Sequence, residues 1–178
     1  MGMRPGSTEE RFRAVFSHLG AVVAYARRRG SKDPDATAAE VMTVAWRRLA
    51  DVPEDDPRPW LYATARNLVF VESRRSAQRA GAAVPERAAP APELYELDPA
   101  LGEALRSLPQ LDREALLLVA WEDLTPSQAA RALGINPTAF RVRLLRARRR
   151  LRARLDEGAG AGEERRPTHR PQFDVEGT

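Results

Sequence analysis

The chain has no cysteine, which excludes disulfides, thiolate metal sites and cysteine nucleophiles. Histidine is scarce: His18 and His169 lie far apart and in no ligand spacing. Lys32 is the single lysine, so nearly every cation is an arginine. No apolar run approaches the ~20 residues that span a bilayer. The opening stretch MGMRPGSTEE holds no apolar signal core. No carboxylate pair, nucleophile motif, metal cluster or phosphate loop points to catalysis. These absences predict a cytoplasmic protein that is not an enzyme, needs no cofactor or metal, and has no membrane partner.

What is present is arginine and helical periodicity. Of 178 residues, 43% are hydrophobic and 30% charged, as in a soluble globular protein. That length admits one domain or two small ones. Units of ~60–70 residues are marginal on their own. The net charge is only +4, but between Arg141 and Arg154 there are eight arginines and no Asp or Glu. Arginine makes forked hydrogen bonds to phosphate and to guanine edges.

Taken in order, residues 1–7 form a loose start, and Ser7 or Thr8 caps a first helix. Phe12, Val15, Phe16, Leu19, Val22, Val23 and Ala26 keep helical spacing as far as Arg27–Arg29, and Gly30 is the stop. Pro34 opens a second helix with Ala38, Val41, Met42, Ala45, Trp46 and Leu49 on one stripe. The acidic, proline-punctuated loop PEDDPRP follows. A third helix carries Trp60, Leu61, Thr64, Ala65, Leu68, Val69 and Glu72, and ends basic. This predicts a compact helical unit over residues 8–78. Residues 79–97, rich in Ala and Pro, read as a flexible linker. A second helical unit spans 98–156. Asp98, Asp112 and Thr125 are its predicted caps, with Pro109 as a breaker. Residues 157–178 are expected to be disordered, because they cannot bury enough apolar surface to offset ordering.

The stretch LTPSQAARALGINPTAFRVRLLRARRRLRAR, residues 124–154, carries the chemistry. Ala130 is small enough for a second helix to cross closely. Gly134 suits a left-handed turn. Leu133 and Ile135 close the angle, and Asn136 caps the next helix. Phe140, Leu144, Ala147 and Leu151 recur on the inner face. Thr138, Arg141, Val142, Leu145 and Arg149 fall opposite, flanked by Arg143, Arg146 and Arg148. This is the pattern of a helix-turn-helix whose second helix enters a DNA major groove. Thr138 and Arg141 are placed to read bases. Arg143 is either a base or a phosphate contact. Arg146, Arg148, Arg149, Arg150 and Arg152 are placed for phosphates or solvent. The arginines alone fit equally well an ordinary solvated helix on a structural bundle.

Two segments resemble the extracytoplasmic-function group of bacterial RNA polymerase sigma factors. One is AEVMTVAWRRL (39–49) with PRPWLYATARNLVFVESRR (57–75). The other is LRSLPQLDREALLLVAWEDLTPSQAARALGINPTAFRVRLLRARRRLRARL (105–155). The resemblance implies an all-α fold of two small helical domains joined by a flexible linker. It implies core RNA polymerase and promoter DNA as partners, an anti-sigma factor as a regulator, and association with the nucleoid when bound to polymerase. The C-terminal unit would read the −35 element as duplex through Asn136, Thr138, Arg141, Arg143, Arg146, Arg148 and Arg149. Helix 36–49 would bind the polymerase clamp with Glu40, Arg47 and Arg48. Trp60, Tyr62, Arg66 and Asn67 would meet the opened −10 strand, with Arg74, Arg75 and Arg79 along its backbone. Base capture of that kind needs stacking faces and pockets.

The sequence departs from that family pattern at Ala36-Thr37-Ala38-Ala39, where polar residues are usual, and at Val71, Ala139 and Val142. The last two remove hydroxyls from the reading helix, so no promoter sequence transfers from relatives. Two other functions fit the same helix-turn-helix: a free-standing transcriptional regulator, and a degenerate sigma-like interaction protein. The N-terminal segments discriminate against the first. The altered clamp-helix stretch favours the second.

Overall fold

A computed structural model of the protein describes residues 5–79, 81 and 98–163. Across them the chain is helical, with no strand among the described residues. The helices are α1 Pro5–Phe16, α2 Leu19–Arg28, α3 Pro34–Arg47, α4 Arg58–Arg79, α5 Pro99–Ser107, α6 Gln110–Ala120, α7 Pro126–Leu133 and α8 Pro137–Glu163. A single 3-10 turn, Leu49–Asp51, follows α3. Of the linker expected at 79–97, Arg79 is the last residue of α4, and residues 80 and 82–97 lie outside the described residues; of the tail expected at 157–178, residues 157–163 continue α8, and those from 164 onward lie outside the described residues.

The first predicted helix is two. It begins earlier than expected, at Pro5, and breaks after Phe16. Ser17 Oγ donates to the Ala14 carbonyl at 2.7 Å, the local bond by which serine competes with the helical ladder. The break lets α1 lie on α3 while α2 packs on both α3 and α4. The end of α2 is as expected: Gly30 sits at φ 76°, and Ser31 N–H closes on the Ala26 carbonyl at 3.0 Å. That is a Schellman ending.

Asp33 caps α3 by accepting from Ala36 N at 2.9 Å, with Pro34 in the first turn. Ala38, Val41, Met42 and Ala45 are buried along its inner face. Trp46, expected on that stripe, is 48% exposed, its ring set at a steep angle to that of Phe12 with centres 4.9 Å apart. One residue past Ala45 is a turn of about 100°, which carries Trp46 off the core. In α4, Leu61, Tyr62, Ala65 and Val69 are buried.

Asp98 caps α5 as expected, accepting from Ala100 N at 2.9 Å and Leu101 N at 3.2 Å. Asp112 does not cap α6. Pro109 occupies that position, and Asp112 lies inside the first turn, 2% exposed. Helix α8 also runs past the expected limit at 156 and reaches Glu163. The two helical groups are packed together, chiefly α4 on α7, and one apolar cluster runs from Val15 to Ala147 through both.

Gly134 sits at φ 65° between α7 and α8, and an added Cβ would meet nothing within 4 Å. Gly134→Ala therefore costs backbone strain alone, about 1–2 kcal/mol. A thermal melt should show Tm falling by roughly 2–8 °C.

Candidate nucleic-acid interface

The reading unit is assembled from local chemistry. Thr125 and Gln128 form a reciprocal capping box at the head of α7: Gln128 N donates to Thr125 Oγ1 at 3.3 Å and Thr125 N to Gln128 Oε1 at 2.7 Å. At the other end of α7, Ile135 N–H bonds the Ala130 carbonyl at 3.0 Å, so the chain reverses within Gly134-Ile135-Asn136. Asn136 Oδ1 then accepts from Thr138 N at 2.7 Å and caps α8. Ala130 is fully buried at the crossing.

Helix α8 divides into two faces. Phe140, Leu144 and Ala147 are buried and Leu151 packs against them, as the spacing predicted. Thr138, Arg141, Arg146, Arg148 and Arg149 are exposed. Val142 and Leu145 stand among them at 44% and 51% exposure, apolar tips of the kind that meet a thymine methyl. Asn136, Thr138, Val142, Arg143 and Arg146 line one open groove, and Leu145, Arg148, Arg149 and Arg152 line another.

Arg143 and Arg150, two turns apart on one flank, converge on the buried Asp112 of α6. Arg143 Nη1 donates to Asp112 Oδ1 at 2.9 Å, and Arg150 Nη1 pairs with Oδ2. Both guanidiniums are thereby tied to α6 on one side of the reading face. Arg141 sits on the opposite flank with Arg148.

The N-terminal candidates are dispersed. Glu40 and Arg47 are exposed on α3. Arg48 pairs with Asp51 at 2.7 Å and lies 6.0 Å from the Trp60 ring centre. Asn67, Arg74 and Arg75 are exposed along α4, while Trp60 is half-buried. Tyr62 is 3% exposed, stacked on Tyr25 with ring centres 4.6 Å apart. In this arrangement it offers no free stacking face. Burial pushes its phenol up, and the nearby Glu122 carboxylate adds to the rise. Arg66 Nε donates to Glu114 Oε2 at 2.8 Å.

That last pair belongs to a set of contacts between the helical groups that spacing did not reveal. Arg28 grips Glu122 through Nε at 2.9 Å and Nη2 at 2.7 and 2.8 Å. Arg29 Nη1 lies 3.1 Å from Glu114 Oε1. Gln128 also reaches back to Asp56. Burial pushes the Glu114 carboxyl up, but the Arg29 and Arg66 guanidiniums more than offset it, and the net displacement is below its ordinary value. The one advance signal was the run Asp112-Arg113-Glu114 at the head of an apolar helix. There, charges occupy positions that the helix buries.

Residues 99–151 match the family model described as Sigma-70, region 4. Over 131 residues the chain is 34% identical to a protein of Xanthomonas campestris pv. campestris described as a probable RNA polymerase sigma factor, RfaY. That match covers 66% of this chain, and the chain spans about a third (33%) of that relative's length. Among solved structures, it is similar to CnrH in complex with the cytosolic domain of CnrY. There the TM-score is 0.57 at 28% identity, covering 82% of this chain and 88% of that one. It also shares its fold with the sigma factor RpoE of Bartonella quintana, in complex with the anti-sigma factor NepR. That match has a TM-score of 0.61 at 20% identity over 81% of this chain and 95% of the other.

Proposed function

We propose that the whole chain is a promoter-specificity subunit of bacterial RNA polymerase, of the extracytoplasmic-function kind; the match of residues 99–151 to the Sigma-70, region 4 family model supports this reading. The observation that carries this reading is the α7–α8 unit. Its capped, glycine-turned helix pair presents an exposed face of Thr138, Arg141 and Arg149 while Phe140 and Leu144 anchor the opposite side. Such a face docks in a major groove, its first turns toward base edges and its later arginines toward phosphates.

In this proposal the C-terminal unit, about 98–156, reads the −35 element. The N-terminal unit, about 8–78, binds core polymerase through Glu40, Arg47 and Arg48, and meets the opened −10 strand through Trp60, Arg66, Asn67, Arg74 and Arg75. Tyr62 stacks on Tyr25 of its own unit and takes part only where that stack opens. The chain itself catalyses nothing; the polymerase does the chemistry. An anti-sigma protein is the proposed regulator.

Run-off transcription with core polymerase on genomic fragments tests the role. Specific start sites are expected, and failure to form any complex with core polymerase sinks the proposal. The residues are tested separately by DNA binding. Arg141→Ala is expected to cost about 1–3 kcal/mol at one base pair of the site. Arg148→Ala should weaken all sequences alike and reduce the salt slope by about 1. Equal effects of the two substitutions on every sequence would remove Arg141 from base reading.

A further inference from the structure

Arg28 ends α2, Arg29 follows it and Arg66 lies on α4, and all three reach the same small region between the helical groups. Their side chains are only 13%, 9% and 30% exposed. What fills the region is two carboxylates from the other group. Glu114 takes Arg29 and Arg66, and Glu122 takes the fork of Arg28. A guanidinium fork accepts a phosphate in the same geometry as a carboxylate.

The fit to carboxylates is incomplete. Arg29 Nη2 is buried and meets neither carboxylate; its guanidinium lies against Tyr25, 4.9 Å from the ring centre. Glu114 Oε1 faces Arg29 and Gln110 Nε2, the latter at 3.1 Å, and Oε2 faces Arg66. A phosphate diester would bring its own oxygens to the same donors. Meanwhile the outward face of α8 stays open in this packing.

We propose that Arg28, Arg29 and Arg66 form a phosphate-binding cluster for nucleic-acid backbone, occupied here by the chain's own Glu114 and Glu122. Backbone phosphate and the two carboxylates exclude one another. DNA binding at the cluster therefore separates the helical groups, and the packed form holds the cluster in reserve while α8 remains free to dock. This deepens the proposed function and rests on it only for the choice of nucleic acid as ligand.

The absence of cysteine makes the test direct. Glu9→Cys on α1 and Ala153→Cys on α8, both exposed, accept a dye pair with no native thiol to remove. In the full-length protein, energy transfer should be high alone and fall as a mixed-sequence single-stranded oligonucleotide is titrated in. Glu114→Gln with Glu122→Gln should give low transfer without DNA. It should also bind the oligonucleotide roughly tenfold more tightly, an ordinary coupling factor between two states. Arg28→Glu alone should lower transfer, and adding Glu122→Arg should restore it.

Oligonucleotide binding to the wild type with no loss of transfer overturns the inference. So does high transfer in the double Gln variant with its helical circular dichroism intact. If that variant does not fold, the wild-type titration decides alone. The titration uses neither polymerase nor promoter sequence, so its failure leaves the promoter-reading role standing, and failed run-off transcription leaves the cluster standing.

Discussion

Phe140→Ala should lower the unfolding free energy by about 3–5 kcal/mol. Phe140 is fully buried on α8, the helix that packs on α5, α6 and α7 together. Removing its ring takes away both the transfer energy of an aromatic side chain and the contacts of the cavity lining. Small domains have only about 5–15 kcal/mol in total, so the C-terminal unit should be close to unfolding at 37 °C. Chemical denaturation measures the loss, and DNA binding should fall with it because the reading helix loses its seat. Val142→Ala is the control. Its side chain is 44% exposed on the same helix, and its stability should change by no more than about 0.5 kcal/mol. Equal destabilisation by the two substitutions would mean that α8 is not seated as described.

The second large effect is expected at Glu114. Glu114→Ala removes the carboxylate that faces Arg29 and Arg66. Arg66, 30% exposed, can turn to water, but Arg29 is 8% exposed as a residue and is left charged and buried for as long as the two helical groups stay packed, so the loss weakens that packing first. Breaking a buried pair on one side costs about 3–5 kcal/mol. Replacing both sides, as in Glu114→Leu with Arg29→Met, should recover most of that loss, because apolar residues of similar volume often match or exceed a buried ion pair.

The pH dependence has a definite sign. The carboxyl of Glu114 is held below its ordinary value in the folded protein. Its contribution is complete above its unfolded pKa and is lost as pH falls through the folded one. Urea unfolding curves of wild type and Glu114→Ala should therefore converge in acid. A gap that persists there assigns the loss to packing and not to the ion pair.

The two sites differ in how far the sequence announced them. Phe140 was legible because its role depends on spacing within one helix, and Thr125, Gly134 and Asn136 were legible because caps and tight turns are made by neighbours in the chain. Glu114 was not. Its partners Arg29 and Arg66 lie 85 and 48 residues away, and no periodicity reports a contact between helices that far apart. The same limit explains Asp112. A short carboxylate near a helix start reads as a cap, yet its actual partners, Arg143 and Arg150, come from a helix two elements later.

Tyr62 and Arg66 carry the sharper lesson. Chemically both suit nucleic acid, and the chain uses both inside itself, stacked on Tyr25 and paired with Glu114. Whether a side chain is available depends on what packs over it. The break after Phe16 was hidden for a different reason. Apolar spacing continues in register across Ser17 and His18, so the pattern of two helices mimics that of one.

Helix α8 has a mechanical consequence. Its 27 residues make a rod of about 40 Å at 1.5 Å per residue. Among its described side chains, Ala147 is the last that is fully buried and Leu151 packs just beyond it, so about three further turns project as a lever. A pivot of ten degrees at the Asn136 cap would swing the far tip by about 7 Å on that length. The stiffness of the rod is uneven, however. Gly158, Gly160 and Gly162 each weaken a helix interior by about 1 kcal/mol relative to alanine. The lever should therefore hold its line through the arginines and yield at the glycines. A partner pulling on the tip would melt those final turns before it moved the reading face.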